Sequence, residues 1–234
     1  MIFIFMILDK IAAVRRTTLF GSLGDAEIKA IAERAAIKRI RQGESLFIQG
    51  QEAHGLYIVV EGSSRAFRES GEGREQVIHV ERAGATIGEV PVFDAGVFPS
   101  TAAAEQDSTV LFIDKRDVHR LCLAYPQIAL SALKILAGRL RHSAELIEAL
   151  SLHEVDQRLA GLLLDEARSH GRSTEKGIAF DLALTNQQIA SRIGTVREVV
   201  SRALGRLQQN EIILVEGRHI LIPSETALEV YAGK

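Results

Sequence analysis

An α+β fold in three parts is what this sequence predicts: an N-terminal β-roll, a long helix, and a small C-terminal unit in which two helices meet at a glycine and a hairpin follows. Three observations predict it. Glycines punctuate the chain from Ala35 to Ile113, helical patterning runs from Gln127 to Leu150 without a proline, and "LTNQQIASRIGTVREVVSRALGRLQQNEIILVEG" (184–217) carries two helix-start signals.

The bulk properties set the limits. At 234 residues and 47% apolar the chain can bury one large core or two smaller ones. Its net charge of −2 carries no global signal, so any argument for nucleic acid rests on local clustering. Cys122 is the only cysteine, which forbids an internal disulfide and fits a reducing cytoplasm. It also excludes an iron-sulfur cluster held within one chain, which takes about four thiolates. The opening "MIFIFMILDK" is apolar for eight residues, against the roughly 20 that span a bilayer. It lacks a basic region and a cleavage site, so no signal peptide or membrane anchor is expected. "MILDKIAAVRRTTLFGSL" already reads as an amphipathic helix, and Met6 is the expected native start.

In the roll region Gly43, Gly50, Gly55, Gly62, Gly71, Gly73, Gly84, Gly88 and Gly96 separate runs such as "SLFIQ", "LYIVVEG", "QVIHV" and "STVLFID". Short runs rich in β-branched and aromatic residues, bounded by turn signals, predict a sandwich or barrel. Helical patterning takes over at "KRDVHRLCLAYP". Pro126 suits the first turn of the long helix. Along it Leu133, Leu136, Leu140, Ser143, Ile147 and Leu150 recur in alternating steps of three and four, a coiled-coil seam. Ile128, Ala132, Ile135 and Leu146 form a second stripe. A helix apolar on two sides needs two partners: the roll supplies one, and the other is either the same helix of a second chain or a further part of the same monomer. A further helix, "HEVDQRLAGLLLDEARS", and a polar loop, "HGRSTEKG", lead into the last part. The expected divisions are 1–115, 116–152 and 153–234.

The stretch 184–217 gathers Arg192, Arg197, Arg202 and Arg206 in a chain that is acidic overall, opposed up to residue 210 only by Glu198. Thr185 with Gln188, and Thr195 with Glu198, are two capping boxes, with Gly194 as the turn between. At about 100° per residue, Val196, Val199, Val200, Ala203, Leu204 and Leu207 occupy one arc of the second helix. Arg197, Glu198, Ser201, Arg202, Gly205 and Arg206 fill the other. Arginine can bond guanine O6 and N7, and glutamate can accept from cytosine N4, so this face suits reading bases. Ser201 and the caps, with Gln187, suit phosphate. "IILV", "EGRH" and "ILIP" predict a wing turning at Gly217 with Arg218 at its tip.

These residues resemble the CRP/FNR superfamily of bacterial transcription regulators, and the resemblance covers nearly the whole chain. It is specific in "GTVREVVSR", where Arg197, Glu198 and Arg202 match the family's base-reading positions and Glu198, Ser201, Arg202 match its "E-x-x-S-R". The resemblance implies a cyclic-nucleotide-binding-like jelly roll, a dimerisation helix, a winged helix-turn-helix, and a homodimer on palindromic double-stranded DNA with half-sites like TTGAT or TGTGA. It also implies contact with RNA polymerase. "ATIGEVPVFDAGVFPSTAAA" lies where members keep a phosphate cassette. There Gly88 matches the glycine, Glu89 the ribose-contacting glutamate and Ser100 a phosphate-contacting serine. On the long helix Arg139 matches a nucleotide-facing position and Ser143 a nucleotide-contacting threonine. Pro99, however, stands where the phosphate-pairing arginine belongs, and proline offers neither charge nor backbone donor. Cyclic AMP is therefore not the expected effector. Glu89 then bonds backbone amides of the roll. A haem, with His79, His142 or His153 as ligand, stays open.

Two other functions are weighed. A cupin-type enzyme needs clustered His and Glu ligands, but the roll offers only His54 and His79, and no Walker loop, nucleophile elbow or His-Glu-x-x-His motif is present. A nucleotide-binding module with no DNA role leaves the helix pair and wing unexplained.

Overall fold

The computed structural model describes residues 10–233; the expected start at Met6 lies outside them. The chain forms two compact units. One takes the chain up to Arg68 together with Ile78–Ser143, the other Glu69–Val77 together with Ala144 onward.

The first unit is a roll of two four-stranded sheets. One is ordered β1 (Ala36–Ile40), β8 (Ser108–Asp114), β3 (Gly55–Glu61), β6 (Thr86–Ile87). The other is ordered β2 (Ser45–Phe47), β7 (Thr101–Ala104), β4 (Ser63–Glu69), β5 (Glu75–Arg82). The short β6 lies beside β3, with Tyr57 opposite Ile87. The run "LYIVV" is buried because β3 lies between β8 and β6 and supplies Leu56 and Ile58 to the core, where Leu111 and Ile113 of β8 meet them. A short N-terminal helix, α1 (residues 10–15), and α2 (Asp25–Arg34) close one side with Val14, Ile28 and Ile31.

After α3 (Glu89–Asp94) and β8, Asp114 caps α4 (Lys115–Ala124) by accepting from the Arg116 amide at 2.9 Å. Tyr125 leaves the helical region and Pro126 opens α5 (Pro126–Leu152), bent 115° from α4. Ile128 and Ala132 of α5 are in the roll's core and Ile135 packs against it, so these three members of the second stripe find the partner expected of them, while Leu146 is half-buried outside that core. The seam lies slightly to one side of its expected line. Leu133, Leu140 and Ile147 are 62, 73 and 65% exposed, but Leu136 and Ser143 are half-buried, while Leu130, Ala137 and Ala144 are open. Leu136 and Ser143 flank the stripe that faces the roll, which turns them partly inward. The open stripe is Leu130, Leu133, Ala137, Leu140, Ala144 and Ile147, again in steps of three and four. Among the described residues no single helix is long and apolar enough to cross a membrane.

In the second unit Glu154 and Gln157 form a capping box at the start of α6 (Val155–His170). Leu159, Leu163 and Leu164 of α6 build a core with α7 (Asn186–Ile193), α8 (Arg197–Gln209) and a four-stranded sheet, ending in α9 (Glu225–Tyr231). The sheet corrects the sequence reading. "HGRSTEKG" is not a loop but contains β9 (Arg172–Thr174), which turns at Glu175 and Lys176 into β10 (Gly177–Asp181). β9 is an edge strand with all its residues exposed, so it carries no alternation of apolar and polar side chains to betray it. β10 pairs with β12 (His219–Ile222), and β12 with β11 (Leu214–Glu216), as the wing.

Candidate nucleic-acid interface and sensor cassette

The helix pair is built from its caps inward. Thr185 Oγ1 accepts from the Gln188 amide at 3.2 Å while Gln188 Oε1 accepts from the Thr185 amide at 2.8 Å, the expected capping box at the start of α7. Gly194 closes α7 at φ 70°, a left-handed conformation that glycine adopts without penalty. The second capping box does not form. The Thr195 amide bonds back to the Ala190 carbonyl at 3.0 Å, so Thr195 still finishes α7, and the extended residue before α8 is Val196, which has no side-chain cap. Val196 is 43% exposed and leaves the apolar arc to its other members, of which Val200, Ala203 and Leu207 are buried.

The arginine cluster divides in two. Arg206 makes a bidentate pair with Asp156 of α6, which lifts its pKa through the hydrogen bonds it donates. Arg192 is 3.9 Å from Glu166 of the same helix. These two fasten α6 to the helix pair. Arg197 and Arg202 are exposed and have no ion-pair partner among the described residues, and Glu198 and Ser201 stand exposed beside them. Ser201 Oγ accepts from Asn186 Nδ2 at 3.0 Å and donates to the Arg197 carbonyl at 3.3 Å. Asn186, the first residue of α7, thereby sets Ser201 in place; the sequence reading passed it over because asparagine at a helix start has many other uses. Thr185 and Gln187 are exposed at the start of α7. Gly217, at φ 63°, turns the wing, and Arg218 is exposed at its tip, with its carbonyl accepting from the Leu182 amide at 2.8 Å.

The sensor cassette is built differently. Gly88 takes φ 93° and precedes α3, and Glu89 is wholly buried at the start of that helix. Its partner is not the roll's backbone, as expected, but Arg139 of α5. Nη1 donates to Glu89 Oε2 at 2.7 Å, and Nη2 to Glu81 Oε1 at 3.0 Å and the Thr86 carbonyl at 2.6 Å. One guanidinium thus serves two carboxylates. Burial pushes the Glu81 carboxyl above its usual range, against the pull of Arg139, and the neighbouring Glu89 charge adds to the rise. Over Gly88 lies the ring of Phe98, 3.3 Å from where a Cβ would be, stacked on Phe47 with centroids 3.7 Å apart. Ser100 is buried and Ser143 is half-buried one turn beyond Arg139. With Pro99 in the arginine's place, Glu89 already paired and Phe98 over Gly88, these residues do not fit a cyclic nucleotide phosphate.

Of the three histidines, His79 and His142 line one cavity, with Nε2 of His142 3.1 Å from the Ile78 carbonyl. Burial, with Arg139 and His142 nearby, lowers His79 to a pKa of about 4. His153 does not line that cavity. Among the described residues no cluster of His, Cys, Asp and Glu has the arrangement of a metal site.

Residues 37–125 match the cyclic nucleotide-binding domain family, and residues 157–231 match the Crp-like helix-turn-helix domain family. The chain belongs to the CRP/FNR superfamily of transcription regulators. It is 29% identical over 199 residues to the fumarate and nitrate reduction regulatory protein of Salmonella typhimurium, covering 84% of this chain and 78% of that one. To the CRP-like cAMP-activated global transcriptional regulator of Mycobacterium tuberculosis it is 26% identical over 221 residues, covering 94% and 98%. In fold it matches a CooA mutant from Carboxydothermus hydrogenoformans with a TM-score of 0.73 at 23% identity, over 86% of this chain and 88% of that one. As a CRP/FNR regulator it is no cupin enzyme, and the helix-turn-helix match removes the reading of a nucleotide-binding module without a DNA role.

Proposed function

We propose that this CRP/FNR regulator binds palindromic double-stranded DNA as a homodimer and adjusts that binding to an effector sensed in the roll. The observation that carries the reading is the α8 face, where Arg197, Glu198, Ser201 and Arg202 stand in solvent while the neighbouring Arg206 is consumed by Asp156. Groups that can bond base edges are left free, and those that would only add charge are tied down. The open α5 stripe is the surface a second copy covers, and pairing it brings two α8 helices to successive major grooves about 34 Å apart. The effector shifts the packing of the α5 pair and so the spacing of the recognition helices. Such a protein works where the DNA is, in the cytoplasm, with no membrane partner. Exposed polar segments such as β9 are the surfaces available to RNA polymerase. Pro99 in the arginine's place and the pairing of Glu89 with Arg139 argue against cyclic AMP as that effector. Haem remains a lesser reading, carried only by His79 and His142 sharing a cavity.

The test is binding of the full chain to palindromes built from TTGAT and from TGTGA half-sites and to scrambled DNA, at two salt concentrations. One palindrome is expected to bind about three orders of magnitude or more tighter than scrambled DNA, with affinity falling steeply as salt rises. Arg202→Ala is expected to cost about 1–3 kcal/mol on that palindrome and much less on scrambled DNA. Equal weakening on both would make Arg202 a phosphate contact.

A further inference from the structure

The cavity beside the Arg139 network has a volume of about 440 Å³, bounded by β5, the turn into β6, and α5, and falls within the size range of small-molecule sites. Its polar lining is Thr18, His79, Glu81, Thr86, Arg139 and His142, in which Glu81 is the one carboxylate. Thr86 is 3% exposed and its Oγ1 has no hydrogen-bond partner among the described residues, although it lines a space large enough for one. Glu81 spends Oε1 on Arg139, and Oε2 has no partner among the described residues. His79 Nε2 is 3.7 Å from Glu81 Oε1, beyond a hydrogen bond, and with its pKa near 4 the ring is neutral at pH 7, with one acceptor nitrogen and one N–H donor. Against two carboxylates stands one guanidinium, so with both ionised the network carries a surplus negative charge. Val80, Ala85 and Ile135 supply apolar walls.

We infer that this cavity binds a small organic amine or amidine, its cationic head held by Glu81 and Thr86 and its apolar body against Ile135. An anionic ligand would meet the surplus carboxylate and find only hydroxyl and imidazole donors, since the Arg139 guanidinium is already shared among Glu81, Glu89 and the Thr86 carbonyl. Because Glu81 holds Arg139, a cation drawing on its carboxylate alters how β5 grips α5. The site thus deepens the proposed effector control and rests on that reading for its role, though not for its chemistry.

The test is calorimetric titration of the full chain, without DNA, with three probes of one shape: 2-phenylethylamine, 2-phenylethanol and 3-phenylpropionate. The amine is expected to bind saturably and about tenfold or more tighter than the alcohol, as a charge-assisted hydrogen bond implies, and the carboxylate not at all. Glu81→Gln should remove the amine's advantage and leave the alcohol unchanged. Thr86→Val, which keeps the fold's volume, should weaken the amine several-fold and decides the matter where Glu81→Gln does not fold. Carboxylate binding as tight as the amine's, no saturable amine binding to the folded protein, or amine binding indifferent to both substitutions would each overturn the site. Failure of the palindromes to bind, with amine binding intact, would overturn the regulator reading alone.

Discussion

Two arginine sites in this molecule have taken opposite courses. On α8, Arg197 and Arg202 project into solvent without an ion-pair partner among the described residues; on α5, Arg139 is four-fifths buried and bonded to Glu89, Glu81 and the Thr86 carbonyl. An arginine in water can pair with whatever arrives, and its charge helps to attract a polyanion. An arginine whose donors are spent inside is a strut. The output face thus keeps the means of meeting DNA, while the cassette has turned its charges on one another and has Pro99 where a phosphate partner belongs.

The largest effect should come from breaking the strut. Arg139→Met leaves Glu89, wholly buried, without its cation, and removing one member of a buried pair costs about 3–5 kcal/mol. Urea denaturation of the full chain measures it. A cost below about 1 kcal/mol, the range of exposed pairs, would mean that the network contributes little and that the contrast with α8 is one of position alone.

The next effect depends on pH and isolates the buried side of the comparison. His79 titrates near 6.5 when unfolded and near 4 in the fold, depressed chiefly by burial. As pH falls from 6.5 to 4 the unfolded chain takes a proton that the fold refuses, so stability is lost over that window, by roughly 3 kcal/mol for a shift of this size. Glu81, raised by burial, has the opposite slope: its protonated fold is favoured as pH falls and stability is lost as pH climbs above the ordinary glutamate value. The two overlap, so the measurement is the difference in unfolding free energy between the wild type and His79→Gln from pH 7 to 4. The wild type should lose ground to the variant on acidification, and parallel curves would contradict the burial of His79.

Much of this was legible in the residues. The roll's strands follow from glycine-bounded runs such as "LYIVV", which falls in β3, a strand buried on both faces from Gly55 to Val59. The two stripes of α5 follow from steps of three and four. What escaped was set by contacts between distant segments. Nothing local to Arg206 announces Asp156, 50 residues earlier, so an arginine that fastens α6 to α8 reads like one that faces DNA. Likewise Glu81 and Arg139 are 58 positions apart, and "VIHVER" gives no sign that its glutamate shares a guanidinium with Glu89. β9 was missed for a simpler reason: its side chains are all in solvent, and a strand that buries nothing leaves no pattern.

The division of the arginine cluster gives a sharper form of the comparison on a single helix. Arg202→Ala should lower the preference for a palindrome over scrambled DNA by about 1–3 kcal/mol and leave stability nearly unchanged. Arg206→Ala should leave that preference intact, since its guanidinium is occupied by Asp156. Competition binding with both variants separates them, and equal loss of preference would place Arg206 among the reading residues.

The smallest effect tests how α7 and α8 begin. Thr185 and Thr195 are alike in sequence, each followed three residues later by a side chain able to complete a capping box, yet only Thr185 accepts from an amide at its helix start. Gly194 accounts for the difference. Its left-handed turn directs the Thr195 amide back to Ala190, so the last bond of α7 takes the residue that would have opened α8, and the start moves on to Val196. Thr185→Ala should therefore cost about 1 kcal/mol, the ordinary worth of a threonine cap, and Thr195→Ala no more than about 0.5 kcal/mol, as for a position without such a role. Thermal or urea unfolding of the two variants side by side measures this, and equal losses would mean that Thr195 caps α8 after all and that the recognition helix begins one residue earlier.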